Sequence, residues 1–401
     1  MIALETEEKK VTTTPIVSIK VIGVGGAGGN TINSIIESGQ TGIDFVVANT
    51  DAQALDLSKA EQKIQLGIKS TRGLGTGADP ELGKRAAEED MDKVLEMTED
   101  ADIVFLTAGM GGGTGSGALP VVARALKDKG LLSIAIVTKP FVFEGKKRAR
   151  IAEEAIVALK KEVDTLIVVP NQKLLEVVDQ QVSMVDAFAM INDVLGQSVK
   201  SISDIMSRPG HINVDFADVR TIMKSQGLAV MGTARASGTE RAKEAALKAI
   251  SSPLLENMSI AGAQGVLLNI TGGKDLGLQE ISCAAQVIYE QVDADAQIIL
   301  GSVIDDKMGD EVSVTIIATG FEKGASCELP VTESVSVQPT VRVVEQEAAP
   351  VKEEQKEQRL EESQEVEAAA LEEEKKELPI DVSDLDVPTF MRHEAEHSSE
   401  E

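Results

Sequence analysis

An α/β fold built on a mostly parallel sheet is predicted by three observations. β-Branched runs alternate with helical stretches, glycine-rich turns stand where strands pass into helices, and a long helical pattern separates this alternation from a second, mixed set of elements. The run Ile16–Val24 ends in glycine, Ala27–Ser38 has helical spacing and Ile43–Asn49 is a second β-branched run, which together make one β-α-β unit. The alternation continues with a helix over Pro80–Met97, a strand at Asp102–Thr107, a helix at Gly115–Lys129 and a strand at Leu131–Thr138. A helix at Gly145–Leu159 and a strand at Thr165–Pro170 close the first part. In such a sheet ligands gather beyond the carboxyl ends of the strands, so functional residues are expected just after them. A long helix is expected from Ser183 to Met206, stopped by Arg208-Pro209-Gly210. Segments at Gly227–Arg235, Thr239–Ser251, Gly265–Ile270, Gly277–Gln291, Ala296–Ile304 and Glu311–Thr319 then predict a smaller α+β domain.

The 401 residues, 42% of them apolar, suffice for two or three domains. Sixty-six acidic against 39 basic residues give a net charge of −27, which argues against a protein that gains affinity by neutralising nucleic-acid phosphates. No apolar run of about 18 residues occurs, and the opening MIALETEEKK is acidic where a secretory signal is basic and then apolar. A cytoplasmic chain without membrane insertion is therefore expected. Cys283 and Cys327 are the only cysteines and there are three histidines, which excludes a disulfide framework and leaves little for a zinc site. The 2% aromatic content supplies few stacking platforms.

Charge is unevenly placed. From Glu322 onward, 23 acidic residues face 8 basic ones, a net −15. Residues 322–378 read as a disordered, self-repelling linker, with a helical patch at Gln358–Lys376 as the alternative. Apolar side chains return in residues 379–401, where Pro379 to Arg392 carries Ile, Val, Leu, Val, Phe and Met, a partner-docking pattern at the end of a tether. The remaining divisions are a disordered extension at 1–15, a ligand-binding domain at 16–182, a connecting helix at 183–208 and the α+β domain at 209–321.

Two glycine-rich turns carry the chemistry. In GVGGAGGN (23–30), Gly23, Gly25 and Gly28 satisfy G-x-G-x-x-G, where bare backbone lets N–H groups approach phosphate oxygens at a helix start. A nicotinamide dinucleotide would fit this loop, with Asp51 at the end of the second strand for its ribose. That reading lacks a persuasive proton donor, since His211, His393 and His397 lie in a loop and in the tail. The second turn, GMGGGTGSG (109–117), has six glycines in nine residues after the next strand. Two such turns suit a triphosphate gripped from both sides, with Thr114 and Ser116 hydroxyls as further donors. There is no GxxxxGK[ST], so backbone N–H groups and a metal must meet the phosphate charge. A third turn at 73–80 could close over the terminal phosphate.

GMGGGTGSG resembles the tubulin signature, and together with GVGGAGGN and with Asp384-Leu385-Asp386-Val387-Pro388-Thr389-Phe390-Met391-Arg392 it makes the chain similar to the FtsZ family, the tubulin-like GTPases of bacterial cell division. The resemblance implies a tubulin-like nucleotide-binding domain and a site for GTP or GDP with Mg2+ held mainly by phosphate oxygens and water. It assigns phosphate contacts to Gly26, Ala27, Gly28 and Gly29 and to Gly113, Thr114 and Gly115, and counts Gly25, Gly111 and Gly112 among the nucleotide-binding residues of the same loops. Thr76, Gly77 and Ala78 would lie at the γ-phosphate. Glu144 would reach the ribose with Arg148 in support, although the residues alone read as a charged helix start. Asn171 fits the nucleoside pocket or caps a loop. Asn30 and Asn192 are the base candidates with Phe188 stacking nearby; many members carry Asp where Asn192 stands, and Asp193 is its neighbour. Asp215 and Asp218, three apart, read from spacing as a helix cap. The resemblance implies instead that they orient the attacking water, with Asn213 beside them, on a nucleotide held by the next subunit. It further implies head-to-tail homopolymers at the midcell division site and adaptor or regulatory proteins docking on Asp384–Arg392.

Overall fold

The computed structural model describes residues 17–177, 183–207, 212, 214–252, 255 and 260–321. The 1–15 extension, the Arg208-Pro209-Gly210 stop, His211, Asn213, the acidic linker and the segment Asp384–Arg392 lie outside the described residues. The first half runs β1 (Ile19–Val24), α1 (Gly25–Glu37), β2 (Asp44–Asn49), α2 (Ala52–Asp56), β3 (Gln62–Gln65), α3 (Ile68–Thr71), α4 (Pro80–Glu89), α5 (Met91–Glu96) and β4 (Ile103–Gly109). It continues through α6 (Thr114–Asp128), β5 (Leu132–Lys139), α7 (Lys146–Leu159), β6 (Thr165–Pro170), α8 (Asn171–Val177) and the long α9 (Met184–Ser207). The second half comprises α10 (Phe216–Met223), β7 (Gly227–Ser237), α11 (Arg241–Ile250), β8 (Gly265–Gly272), α12 (Leu278–Tyr289), β9 (Gln297–Ile304) and β10 (Glu311–Thr319).

The strands order as β3-β2-β1-β4-β5-β6-β7-β10-β8-β9. From β3 to β7 every pairing is parallel. Strand β7 serves both halves: Gly227–Ala229 pair in parallel with Thr165–Ile167, and Val230–Ser237 pair antiparallel with β10. Strand β10 is antiparallel to β8, and β8 is parallel to β9.

Parallel strands covered on both faces read as continuous apolar runs, and all six residues of β1 are buried. Alternate residues feed opposite cores. Val21, Phe105 and Ile134 face a core shared with Ile32 and Ile35 of α1 and with Ile191, Leu195, Val199 and Ile202 of α9. Ile22, Leu106 and Ala135 face the other, against Ala86 and Ala87 of α4 and Leu119, Val122 and Leu126 of α6. Helix α9 buries its stripe against Met231, Leu267 and Ile317 of the second half as well, so one core runs under both.

The helix expected over Pro80–Met97 is broken at Asp90, whose backbone (φ −118°, ψ 22°) leaves the helix. Its carboxylate accepts from Gly67 N at 2.7 Å and Lys93 Nζ at 2.6 Å, exchanging helical continuity for a tie to the preceding turn.

Arg241 fastens α11 to α12. Buried at 7% exposure, it donates to both Glu280 oxygens at 2.8 and 3.2 Å and to Asp310 O at 3.0 Å, and pairs with Asp275 at 2.9 Å. The Arg241 hydrogen bond, helped by Gly277 N and opposed by burial, holds the Glu280 carboxyl below its usual range. The stabilisation from Glu280 is therefore present above the unfolded carboxyl's pKa, about 4.3, and is lost as pH falls through the lower folded value. We expect Arg241→Met to cost about 2 to 4 kcal/mol near neutral pH and to flatten the acid limb of stability. Urea melts of both proteins from pH 7 to pH 3 check this; parallel acid limbs would refute it.

Candidate functional site

Most of the candidate ligand residues follow the carboxyl ends of β1, β2, β4, β5 and β6; Thr76, Gly77 and Ala78 come after β3 and α3, and Phe188 and Asn192 lie on α9. Helix α1 opens inside the first glycine loop, at Gly25 rather than Ala27, and no side chain caps its first turn, so its leading N–H groups stay free. A Cβ on Gly23 would stand 2.5 Å from Gly28 O, and one on Gly28 would stand 2.5 Å from Thr107 O. These two glycines serve packing. Gly25, at φ +73°, lies beside Thr114 and Gly115, with a built Cβ 3.1 Å from Gly115 N, so the first and second loops touch.

In the second loop Gly109 packs on Ala27, Gly111 (φ +103°) on Arg148, Gly113 on Thr76 and Gly115 on Gly109. Gly26 and Gly112 differ: a Cβ on either would meet nothing within 4 Å. Neighbouring protein atoms do not exclude a side chain there; Gly26 is exposed and Gly112 is half-buried. Ser116, expected as a phosphate donor, instead accepts from Gly111 N at 2.9 Å and braces the loop from within. Thr114 Oγ1 lies 2.7 Å from Thr50 Oγ1 and 3.3 Å from Thr76 Oγ1, which joins the third turn to the second loop. That turn places Gly77 at φ +58° and Ala78 at φ +62°. A left-handed alanine is a strained choice. Asp79, after it, caps α4 by accepting from Glu81 N at 3.0 Å.

Beside the second loop, where Gly111 packs on Arg148, Glu144 accepts from Phe141 N at 2.9 Å and from Arg148 Nη1 at 2.6 Å. Phe188 meets Phe141 edge to face at 5.5 Å and is 39% exposed. Asn192 accepts from Thr31 Oγ1 at 3.3 Å, which turns it toward α1, while Asp193 points to Ser34 at 3.2 Å and is exposed. Asn30 is exposed on α1. Asn171 is 5% exposed and its Oδ1 has no partner among the described residues; the same holds for the buried Thr107 Oγ1. Orphaned acceptors of this kind are costly unless a ligand satisfies them. Asp51, the ribose candidate of the nicotinamide reading, is engaged as the cap of α2, accepting from Gln53 N at 2.9 Å. Among the described residues no group of three His, Cys, Asp or Glu could hold a metal.

Thr50 was missed by the sequence reading, which had no local pattern to find it: its partner is 64 residues away. Asp215 and Asp218 are not brought to this cluster. Asp215 caps α10, accepting from Ala217 N at 3.4 Å, and both are exposed. Met223 O accepts from Thr165 Oγ1, at the amino end of β6, and Ser225 N donates to Asp164 at 3.3 Å. Helix α10 therefore lies toward the amino edge of the parallel sheet. Helix α9 connects the two edges: Asn192 lies by α1, and Ile205 borders Gly301 together with Val214. From Asn192 to Ser207 the axial rise is about 22 Å.

Residues 18–179 match the model of the Tubulin/FtsZ family GTPase domain, and residues 227–322 match that of the FtsZ family C-terminal domain. An empty FtsZ dimer from M. jannaschii is similar at 43% identity and a TM-score of 0.73, covering 76% of this chain and 88% of that one. CetZ2 from Haloferax volcanii, a GTPgS-bound protofilament, is 22% identical with a TM-score of 0.64, over 76% of this chain and 94% of that one. CetZ1 from the same organism, a GDP-bound monomer, is 24% identical with a TM-score of 0.64, over 76% and 95%.

The two kinds of glycine are separable by substitution. Gly23→Ala should lower the melting temperature, with an overpacking cost of about 1 to 3 kcal/mol. Gly26→Ala should leave melting unchanged or slightly raised while weakening nucleotide binding about tenfold or more. Calorimetric melts with nucleotide titrations test both, and unaltered affinity in Gly26→Ala would remove Gly26 from the site.

Proposed function

The chain belongs to the FtsZ family, and from that premise we propose that it is a self-assembling GTPase that polymerises head to tail into filaments of the division ring and hydrolyses GTP between subunits. The supporting observation is that the glycine loops follow the carboxyl ends of β1 and β4, whereas Asp215 and Asp218 open α10, which lies by the amino end of β6. A nucleotide face at one edge and a carboxylate loop at the other form a heterologous pair, which repeats as an open filament.

In this reading the segments Gly26 to Gly29 and Gly112 to Gly115 cradle the phosphates through the N–H groups left free ahead of the first helical bonds, with Gly25 and Gly111 shaping the loops. Phosphate charge meets two helix starts, α1 and α6, in place of a lysine. The turn at Thr76, Gly77 and Ala78 lies over the terminal phosphate. Glu144, steadied by Arg148, takes the ribose hydroxyls, and the orphaned Asn171 Oδ1 gains a donor from the nucleoside. Phe188 stacks on the base, and Asn30 and Asn192 read its edge. Asp215 and Asp218 of the adjoining subunit, with Asn213, hold a water in line with the terminal phosphorus. Positioning and charge stabilisation are most of what phosphoryl transfer requires. Mg2+, bound through phosphate oxygens and water, would supply neutralisation of the developing charge. The assembly works in the cytoplasm at midcell, tethered by Asp384–Arg392 to adaptor proteins.

GTP turnover and light scattering across a dilution series test this. Both should rise at one protein threshold, and Asp218→Ala should still scatter while hydrolysing at least tenfold more slowly. Turnover per subunit that stays flat through the threshold would place the catalytic groups within one molecule.

Removal of residues 379–401 should leave assembly intact and abolish adaptor capture. Undiminished capture by the truncated chain would disprove the docking role of Asp384–Arg392.

A further inference from the structure

Thr50, which follows β2, is wholly buried at 0% exposure. Its hydroxyl has one partner among the described residues, Thr114 Oγ1 at 2.7 Å, and Thr114 Oγ1 lies 3.3 Å from Thr76 Oγ1. Three hydroxyls from three separate segments meet where the two glycine loops and the 73–80 turn converge. Thr76 and Thr114 are themselves buried, at 8% and 9% exposure.

A hydroxyl has one proton to give and two lone pairs with which to accept. Were Thr50 to accept from Thr114, its own proton would be stranded in a site closed to solvent, which is destabilising. Thr50 therefore donates, and Thr114 accepts. The Thr114 proton must then go elsewhere. Thr76 Oγ1 is the neighbour on the protein, at the long end of bonding distance for two hydroxyls. An anionic oxygen is a stronger acceptor, and Thr114 is the first residue of α6, beside Gly25 at the start of α1, where two sets of helix N–H groups would hold such an oxygen. Accepting from Thr50 also polarises the Thr114 hydroxyl and makes it the better donor.

We propose that Thr50 is a positioning residue for the terminal phosphate: by donating to Thr114 it turns the Thr114 proton toward a γ-phosphoryl oxygen and makes the site prefer triphosphate to diphosphate. This rests on the nucleotide reading of the glycine loops. When the Thr114 hydroxyl donates its hydrogen bond to the phosphate oxygen, Thr76 donates to Thr114 or to the same phosphate. When the third phosphate is gone, the Thr114 hydroxyl donates to Thr76 instead. The left-handed turn at Gly77 and Ala78 is in this way tied, through one hydroxyl, to the identity of the nucleotide.

The test is equilibrium binding of GTP and of GDP to the full chain below its assembly threshold, for Thr50→Val, Thr50→Ser, Thr114→Val and the double valine variant. Thr50→Val should weaken GTP on the order of tenfold and leave GDP within about twofold, and Thr50→Ser should retain the wild-type preference. The double variant should bind GTP no more weakly than Thr114→Val alone, because Thr50 acts through Thr114. An unchanged GTP-to-GDP ratio in folded Thr50→Val, equal losses for both nucleotides, or additive losses in the double variant would overturn the proposal. If Thr50→Val does not fold, Thr50→Cys, with its weak thiol donor, is judged by the same outcomes. A wild-type chain that binds neither nucleotide would instead sink the glycine-loop reading, and this proposal with it.

Discussion

The backbone contact between Gly23 and Gly28 sets the geometry on which the rest of the site depends. With no Cβ on either, α1 starts directly against β1 and against Thr107 of β4, where even a methyl group would come within 2.5 Å of a carbonyl oxygen. That closeness brings the first turn of α1 beside the second glycine loop, Gly25 next to Gly115 and Ala27 next to Gly109. The uncapped starts of α1 and α6 consequently open on one space, and their N–H groups and dipoles add. A side chain at position 23 or 28 would push the two apart, and neither loop alone surrounds a triphosphate.

Strand direction does the second part of the work. Parallel pairing from β3 to β7 places every loop after a strand on one edge, and α10, which precedes β7, on the other. Helix α9 spans the distance with its stripe of Ile191, Leu195, Val199, Ile202 and Met206 buried under both halves, so the spacing between the edges is set by a packed rod rather than by a loop. Because the two edges present different surfaces, contact between copies through them cannot close as a two-fold dimer. It repeats in one direction.

Much of this was legible in the sequence, because long buried strands and amphipathic helices announce themselves by period and the loops by glycine. What was not legible depended on distant partners. Helices α2, α3 and α8 and strand β3 have four to seven residues, too few for a periodic signal. The break at Asp90 arises from Gly67, 23 residues earlier, while the residues on both sides favour helix. Within the site, composition marked the glycines but could not sort packing ones such as Gly113 from open ones such as Gly112, since that difference lies in which neighbour a Cβ would meet. Thr50 had no local signal at all. Asp51 did have one, an Asp followed two and three residues later by N–H groups at a helix start, and that local capping pattern describes its bonds better than the ribose role suggested by its position after a strand.

An acidic chain that binds a polyphosphate looks contradictory only if charge is treated as uniform. Of the net −27, −15 falls from residue 322 onward, and at physiological salt charges more than about 8 Å apart are largely screened. The two glycine loops lie in neutral stretches: residues 21–36 and 103–123 contain no charged side chain. The carboxylates nearest in sequence to the third turn and to Thr50, Asp79 and Asp51, are turned to the N–H groups of Glu81 and Gln53 as helix caps. What a phosphate would meet is backbone N–H, hydroxyl and helix terminus, all short-range donors whose strength does not depend on the sign of the whole molecule. Net charge bears on which macromolecules the chain avoids, and the local donor set bears on which small anion it holds; the two act over different distances and need not agree.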